Sequence, residues 1–249
     1  MLGAGRGIGL GFATALARRG FSLLLVDVRE DLLPEAQRAA EAAGAPQVRT
    51  VAIDLAAADA GLRLTSASHD LDLGLAVVSA ARSTVGPFLE EDLESHRASV
   101  RVNCDGTLVA SHVLGRVLRA RGRGGLILLS SLAGHQGTGW VAAYAATKAF
   151  DRVLAEALWW ELSPHGVDVL ALVAGSTDTP GFQEHSPRID ARSLQSAEEV
   201  AEEGLEKLGQ GPVHVSGEAN RRIFQALQGL PLDERIRVIS ENTRRLYRD

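Results

Sequence analysis

Cysteine is nearly absent from this 249-residue chain: Cys104 stands alone, so no internal disulfide framework can hold the fold. No apolar run reaches ~18 residues and no leader pattern is present, so neither a membrane span nor a secreted product is expected, and the cytoplasm is the default location. Lysine is almost as scarce. Of 26 Lys and Arg residues only Lys148 and Lys207 are lysine. A concentrated basic stripe is also missing and the formal net charge is −5, which argues against nucleic acid as the main partner. The seven histidines show no metal-ligand spacing, so no metal is expected. What remains, 45% hydrophobic and 23% charged residues, suffices to bury the core of one soluble domain spanning 1–249.

Against this background the stretch Tyr144-Ala145-Ala146-Thr147-Lys148, with Ser131 thirteen residues before Tyr144, is the most chemically pointed feature. On a helix, residues four apart share a face, so the Lys148 ammonium can sit beside the Tyr144 phenol. A free phenol loses its proton near pH ~10, and acid/base work at neutral pH needs that lowered by about 3 units, about 4 kcal/mol. One cation about 4 Å away at an effective dielectric of ~20 supplies energy of that order. Arginine, the usual cation of this chain, cannot release a proton, whereas lysine can modulate or relay one. Ser131 ends the apolar run from Leu126, so its hydroxyl falls at a strand end where a substrate oxygen can bind.

A second feature opens the chain. Gly3, Gly5, Gly7 and Gly9 precede a run of small and apolar residues to Arg19. A glycine loop entering a helix lets backbone N–H groups approach a pyrophosphate, and the helix N-terminus adds partial positive charge. Phe21 to Val26 reads as a buried strand ending in Asp27, 18 residues after Gly9, close to the interval at which a carboxylate binds the ribose hydroxyls of NAD and repels a 2′-phosphate. Arg6 pulls the other way, as a cation able to accept that phosphate, but Asp27 carries more weight because it faces the ribose directly.

Alternating strands and helices give an α/β fold: a Rossmann-like, doubly wound parallel sheet with helices on both faces. Strands are expected near 21–27, 48–53, 74–79, 125–130, 166–173 and 211–215. Helices are expected near 8–19, 31–43, 56–66, 90–121 with a break around Asn103, 142–163, 196–208, 217–228 and 232–247. The stretch from Ser176 to Arg192 reads as a loop with short helical pieces.

Together these residues resemble the short-chain dehydrogenase/reductase family, in its branch of single-domain enzymes of about this length, over almost the whole chain. Gly3, Gly7 and Gly9 match its glycine loop, Asp27 its NAD-selecting acid, Asp54 a residue contacting adenine, and Asn103 the helix-kinking asparagine that holds a relay water. Ser131, Tyr144 and Lys148 match the remaining catalytic positions. The resemblance implies NAD as cofactor, with NADP not excluded, bound by Gly3, Arg6, Gly7, Ile8, Gly9, Asp27, Asp54, Ala80, Tyr144, Lys148, Gly175 and Thr179. It implies a homodimer or homotetramer built on the helices at 90–121 and 142–163, with Trp159 or Trp160 in the core or the contact.

The chain departs from the family pattern at three places. Val78-Ser79-Ala80-Ala81 stands where the family carries two asparagines, and Ala174-Gly175 where it carries Pro-Gly. The glycine loop begins at residue 3, so the strand that should precede it, an interior one, is absent. Its loss leaves backbone groups on both neighbours unpaired at about 1–3 kcal/mol each. The expectation is therefore that five or six strand-forming residues precede Met1, or that another segment fills the gap.

The reading is an NAD(P)-dependent oxidoreductase interconverting a secondary alcohol and a ketone. Tyr144 is the general acid/base, Ser131 the holder of the substrate oxygen, Lys148 the partner of the phenol and of the nicotinamide ribose, and Asn103 the anchor of the relay. The substrate is a small-molecule alcohol or ketone, met by the loops at 134–142 and 176–195, where His135 and Trp140 are wall candidates and Phe182, Glu184, His185 and Arg188 lid candidates. Cys104 reads as a buried small hydrophobe. A catalytically silent nucleotide-binding sensor of the same fold is the alternative; a serine hydrolase using Ser131 lacks both a G-x-S-x-G elbow and a histidine in triad context.

Overall fold

The computed structural model describes residues 1–186, 190 and 194–248. Helix α1 (Gly7–Arg18) leads to strand β1 (Leu23–Asp27), then α2 (Leu33–Ala42), β2 (Val48–Ala52), α3 (Ala60–Ser68) and β3 (Leu75–Val78). After a long connection come α4 (Leu93–Val100), α5 (Gly106–Arg121), β4 (Gly124–Ser131), α6 (Ala142–Leu162) and β5 (Val167–Ala174). The chain closes with β6 (Thr177–Asp178), α7 (Pro180–His185), β7 (Gln195–Ser196), α8 (Ala197–Lys207), β8 (Val213–Val215), α9 (Glu218–Gln228) and α10 (Leu232–Arg248).

All pairings are parallel: β2 with β1, and separately β3-β4-β5-β8. Strands β3, β4 and β5 read Leu-Ala-Val-Val, Gly-Gly-Leu-Ile-Leu-Leu-Ser-Ser and Val-Asp-Val-Leu-Ala-Leu-Val-Ala, the near-continuous apolar runs of strands covered on both faces. Their side chains alternate. Leu126 and Leu128 pack with Leu64, Leu114 and Ala155 of α3, α5 and α6, whereas Ile127 and Leu129 pack with Phe12 and Val200 of α1 and α8. The sheet is thus wound on both sides, as the alternation of elements implied.

The slot between β1 and β3 is entered by residues 1–3. Leu2 donates its N–H to Val77 O at 2.9 Å and accepts from Ser79 at 3.0 Å, while on the other side Gly3 donates to Val26 O at 2.8 Å and Val26 to Met1 O at 2.8 Å. These are single bridges, not a strand; with the Met1 ammonium donating to Leu24 O at 2.8 Å, they tie residues 1–3 along β1 and to the C-terminal end of β3. Leu2 is 1% exposed, so the same residue that ties the backbone also fills the core.

Other boundaries need correction. Phe21 is outside the first strand and 46% exposed, because its N–H bonds Leu16 O and that of Gly20, at φ +76°, bonds Ala17 O, a glycine-terminated cap that ends α1. The helix expected from 56 begins at Ala60, the last sheet strand is only Val213–Val215, and the stretch after Ser176 contains β6 and α7. The break expected near Asn103 is a π turn, Arg101–Asp105, that carries α4 into α5 without interruption.

Candidate active site

The glycine loop is a cradle that side chains would fill. Gly3 has φ +76°, and a Cβ there would stand 2.5 Å from the backbone nitrogen of Ala80; one at Gly9 would stand 1.8 Å from Gly3 O. The backbone of Ala80 therefore forms one wall of the loop, and that wall needs no side-chain amide. Gly7, at φ +58°, faces the Thr179 side chain, and Ile8 turns inward onto the core. Arg6 precedes α1 in extended backbone with no side-chain cap, and the first turn holds no acid, so the leading N–H groups and the helix dipole remain for an anion. These residues fit a dinucleotide pyrophosphate.

At the end of β1, Asp27 Oδ2 accepts the Gly5 N–H at 2.8 Å and Oδ1 accepts that of Arg29 at 3.0 Å. The carboxylate is thereby held at the loop. Both flanking guanidiniums are engaged: Arg6 pairs with Glu184 at 2.5 Å and Arg29 with Asp31 at 2.7 Å. Asp54 lies exposed beyond β2, its Oδ1 accepting Ala56 N–H at 2.9 Å. Gly175, beyond β5, is backed so closely by Asn220 of α9 that a Cβ would meet its Oδ1 at 2.2 Å.

Helix α6 is stapled to the end of β4. Ser130 Oγ donates to Lys148 O at 2.7 Å, and Lys148 Nζ donates to Leu129 O at 2.7 Å. The spare room comes from Gly134, where a Cβ would strike the Lys148 backbone at 2.7 Å. Nζ lies 5.8 Å from the Tyr144 ring centroid, as the four-residue spacing implied. Ser131, half-buried at the strand end, has Oγ accepting only a long 3.3 Å bond from Ala133 N–H. Ser130 is thus the structural hydroxyl and Ser131 the available one. Asn103 is fully buried; its Nδ2 donates to Arg82 O at 2.8 Å and Thr147 Oγ1 at 2.9 Å, and its Oδ1 accepts from Arg82 N–H at 2.7 Å. Thr147 in turn donates to Tyr144 O at 2.8 Å, so the asparagine clamps the turn that carries the phenol.

Sequence reasoning passed over two features. The first is Asp151, one turn beyond Lys148, whose Oδ2 accepts from Nζ at 2.9 Å with both side chains almost wholly buried. Burial alone would push Lys148 down, but the charges of Asp151 and Tyr144 outweigh it and hold the ammonium above its ordinary value. The second is the cover formed by α9 and α10. Ser240 Oγ accepts the Gly139 N–H at 2.8 Å, Ser186 Oγ donates to Leu246 O at 3.0 Å, and Phe224 packs on His135 at 4.5 Å between ring centroids. Ile236, Ser240, Thr243 and Tyr247 recur at helical spacing, a signal the sequence did contain.

The wall and lid candidates divide accordingly. Burial pushes His135 down to about 4, with Arg152 adding to the shift, so its ring is neutral at physiological pH. Trp140 adopts φ +69°, uncommon for a bulky residue, and its carbonyl accepts Gly86 N–H at 2.8 Å. Phe182 lies 6.5 Å from Tyr247, whose hydroxyl burial raises to about 12 with the Tyr144 charge contributing. Glu184 holds Arg6, and Arg188 and Arg192 lie outside the described residues, as does the His185 side chain. Trp159 packs against the core while Trp160 is 74% exposed. Burial and then Asp151 push the Cys104 thiol up to about 11, far from a reactive thiolate. Among the described residues no group of three His, Cys, Asp or Glu could hold a metal, and no helix is long and apolar enough to cross a membrane.

Comparison with known proteins agrees with this geometry. The short chain dehydrogenase family model matches residues 1–190. A 7beta-hydroxysteroid dehydrogenase of Clostridium sardiniense is 33% identical over 225 residues, 89% of this chain and 85% of the relative. A sorbitol dehydrogenase of Cereibacter sphaeroides is 32% identical over 193 residues, 76% and 72% of the two chains. A solved structure from work on 7beta-hydroxysteroid dehydrogenase stereoselectivity superposes with a TM-score of 0.88 at 28% identity, covering 96% of this chain and 95% of the other.

Proposed function

This chain belongs to the short-chain dehydrogenase family and is an NAD(P)-dependent oxidoreductase, and from that premise we propose that it interconverts a secondary alcohol and a ketone with Tyr144 as general acid/base. The observation that carries the reading is the buried Lys148 ammonium, held 2.7 Å from Leu129 O at the end of β4 and 5.8 Å from the Tyr144 ring. When bound, the dinucleotide accepts or supplies the hydride. The remaining work falls to the chain. Ser131 orients the substrate oxygen, Tyr144 takes its proton in oxidation or returns one in reduction, and Lys148 keeps positive charge beside the phenol. Asn103 holds its place in the relay through the Thr147 clamp.

NAD(H) is the preferred form in this reading. Asp27 points a carboxylate at the loop, and Arg6 and Arg29, the cations able to take a 2′-phosphate, are already in ion pairs. The substrate class proposed is a bulky, largely apolar secondary alcohol of hydroxysteroid type. Supporting it are the relatives of that name and the cover over the 134–142 loop, where Phe224, Ile236 and a neutral His135 meet. A panel of ketones graded by size, followed by absorbance of the reduced nicotinamide, tests both levels. Consumption that rises with ring number supports the substrate class; no consumption on any ketone or alcohol sinks the oxidoreductase chemistry assigned to Tyr144.

A further inference from the structure

A carboxylate one turn past the acid/base lysine is chemically conspicuous. Asp151 has a side chain only 3% exposed, its Oδ1 is buried without a hydrogen-bond partner among the described residues, and its Oδ2 is 2.9 Å from Lys148 Nζ. Burying a carboxylate whose polar support is Lys148 and, more loosely, the Thr107 hydroxyl costs more than an apolar residue of similar size would at the same place. Packing does not explain its presence. Position does: the lysine whose charge must act on Tyr144 has two polar anchors, Leu129 O and Asp151 Oδ2.

We propose that Asp151 is a positioning residue for the acid/base pair: its buried carboxylate is the counter-ion that fixes the Lys148 ammonium against Leu129 O and offsets part of the positive field reaching Tyr144. The inference rests on the reading of Tyr144 and Lys148 given above. A lone buried ammonium would face two difficulties. Desolvation would favour its neutral form, and any charge it kept would be free to swing with its long side chain. Asp151 removes both, since it shares the helix with Lys148 at a three-residue spacing and is itself immobilised by burial. The groups that act on this carboxylate are Lys148 on its own helix and the Thr107 hydroxyl of α5; it acts in turn on Cys104 of the adjoining π turn, while Tyr144 acts on Lys148 and Asp105 on Cys104. Burial raises Asp151 itself, with Lys148 and the Thr107 hydroxyl pulling the other way, and its charge is felt as far as the Cys104 thiol.

The composition of the chain makes this testable without a substrate. Lysine occurs only at 148 and 207, so isotope-labelled lysine gives two side-chain signals in the full-length protein, and Lys207→Arg identifies the one from Lys148. In the unmutated chain the Lys148 signal should keep its protonated position beyond the ~10.4 midpoint of an ordinary lysine. Removing a neighbouring negative charge favours proton loss, so in Asp151→Asn the midpoint should fall by about one unit or more, and Asp151→Glu should restore it. With NAD and an alcohol that turns over, the pH–rate profile of Asp151→Asn should move bodily to lower pH, a change that mere loss of packing does not produce. An unchanged Lys148 midpoint in Asp151→Asn overturns the proposal. Should that variant not fold, a midpoint below ~10.4 in the unmutated chain overturns it equally. Failure of every substrate would count against the oxidoreductase reading, while the lysine titration would still decide the role of Asp151.

Discussion

Asp27 and Gly5 are joined by a 2.8 Å hydrogen bond from the glycine N–H to Oδ2, so the acid that ends β1 is also a strut of the glycine loop. A Cβ on Gly5 would lie 2.9 Å from that oxygen, which leaves the two residues no other way to pack. A change at Asp27 therefore also changes the geometry of the glycine loop.

The first prediction follows from this strut. Asp27→Ala should weaken NAD(H) binding about tenfold, roughly one charged hydrogen bond, and narrow or reverse the preference over NADP(H). Fluorescence titration of both reduced cofactors measures it. Tighter NADP(H) binding by the unmutated chain would contradict the assigned preference.

The acid/base pair separates by substitution. Tyr144→Phe should lower turnover by about 10²–10⁴ while leaving cofactor affinity nearly unchanged, because the hydroxyl serves proton transfer. Lys148→Ala should damage turnover and cofactor binding, and should destabilise the fold by about 3–5 kcal/mol because Asp151 stays behind as a buried, unpaired charge. Retained turnover in Tyr144→Phe would assign the proton to another group.

Two glycines with ample and with no room make a matched test. Gly9→Ala drives a methyl to within 1.8 Å of Gly3 O and should cost at least about tenfold in dinucleotide affinity, along with about 1–3 kcal/mol of stability. Gly20→Ala, at φ +76° with nothing within 4 Å, should cost about 1–2 kcal/mol by backbone strain alone and leave binding intact. Equal affinity in the two variants would mean the loop does not hold the pyrophosphate.

Acid stability should depend on Glu203. Burial pushes this carboxyl up, but His214, the Gly217 N–H and Arg221 outweigh it and hold the group at about 2, well below its ordinary value of 4.5. A depressed carboxyl stabilises the fold at pH above the unfolded value. That contribution is fully present above pH ~4.5, declines as pH falls toward ~2, and is about 2 kcal/mol after solvent screening. Glu203→Gln should therefore unfold more easily at pH 7 and show a flatter decline in Tm between pH 5 and about 2.5. An identical slope in both proteins would remove Glu203 from the account.

Association should use the outer face of α6. Ala146, Ala149, Phe150, Val153 and Ala157 make an apolar strip, with Val153 53% exposed. Light scattering at micromolar concentration should give a dimer or tetramer, and Val153→Asp should shift it toward monomer. Trp160 is the tryptophan left available to such a contact, because Trp159 faces its own core. A monomeric unmutated chain would exclude the assembly.

Much of the molecule was legible without coordinates because its signals are local. Tyr144 and Lys148 are four apart on one helix, Gly3 to Gly9 precede another, and the apolar runs of β3, β4 and β5 announce strands buried on both faces. Periodicity and spacing act over a few residues, and those a sequence states directly. It misplaced what depends on distant partners. The break near Asn103 was placed, but its form, a π turn whose asparagine bonds Arg82 21 residues away, was not, and the first strand was begun too early because the backbone cap that ends α1 at Arg19 and Gly20 is not encoded in strand and helix periods.

Sequence by itself thus determined the fold class and the family, and it named the glycine loop and the Tyr144–Lys148 pair as the candidate site, since each is written in residue type and short spacing. Only the tertiary structure decided that Leu2 ties both halves of the sheet, that α9 and α10 cover the 134–142 loop, and that Asp151 is the counter-ion of Lys148. The physical reason is common to the three. Whether a backbone group is paired, a surface covered or a charge desolvated depends on what the fold brings against it from elsewhere in the chain, and burial is a property of the whole packed body.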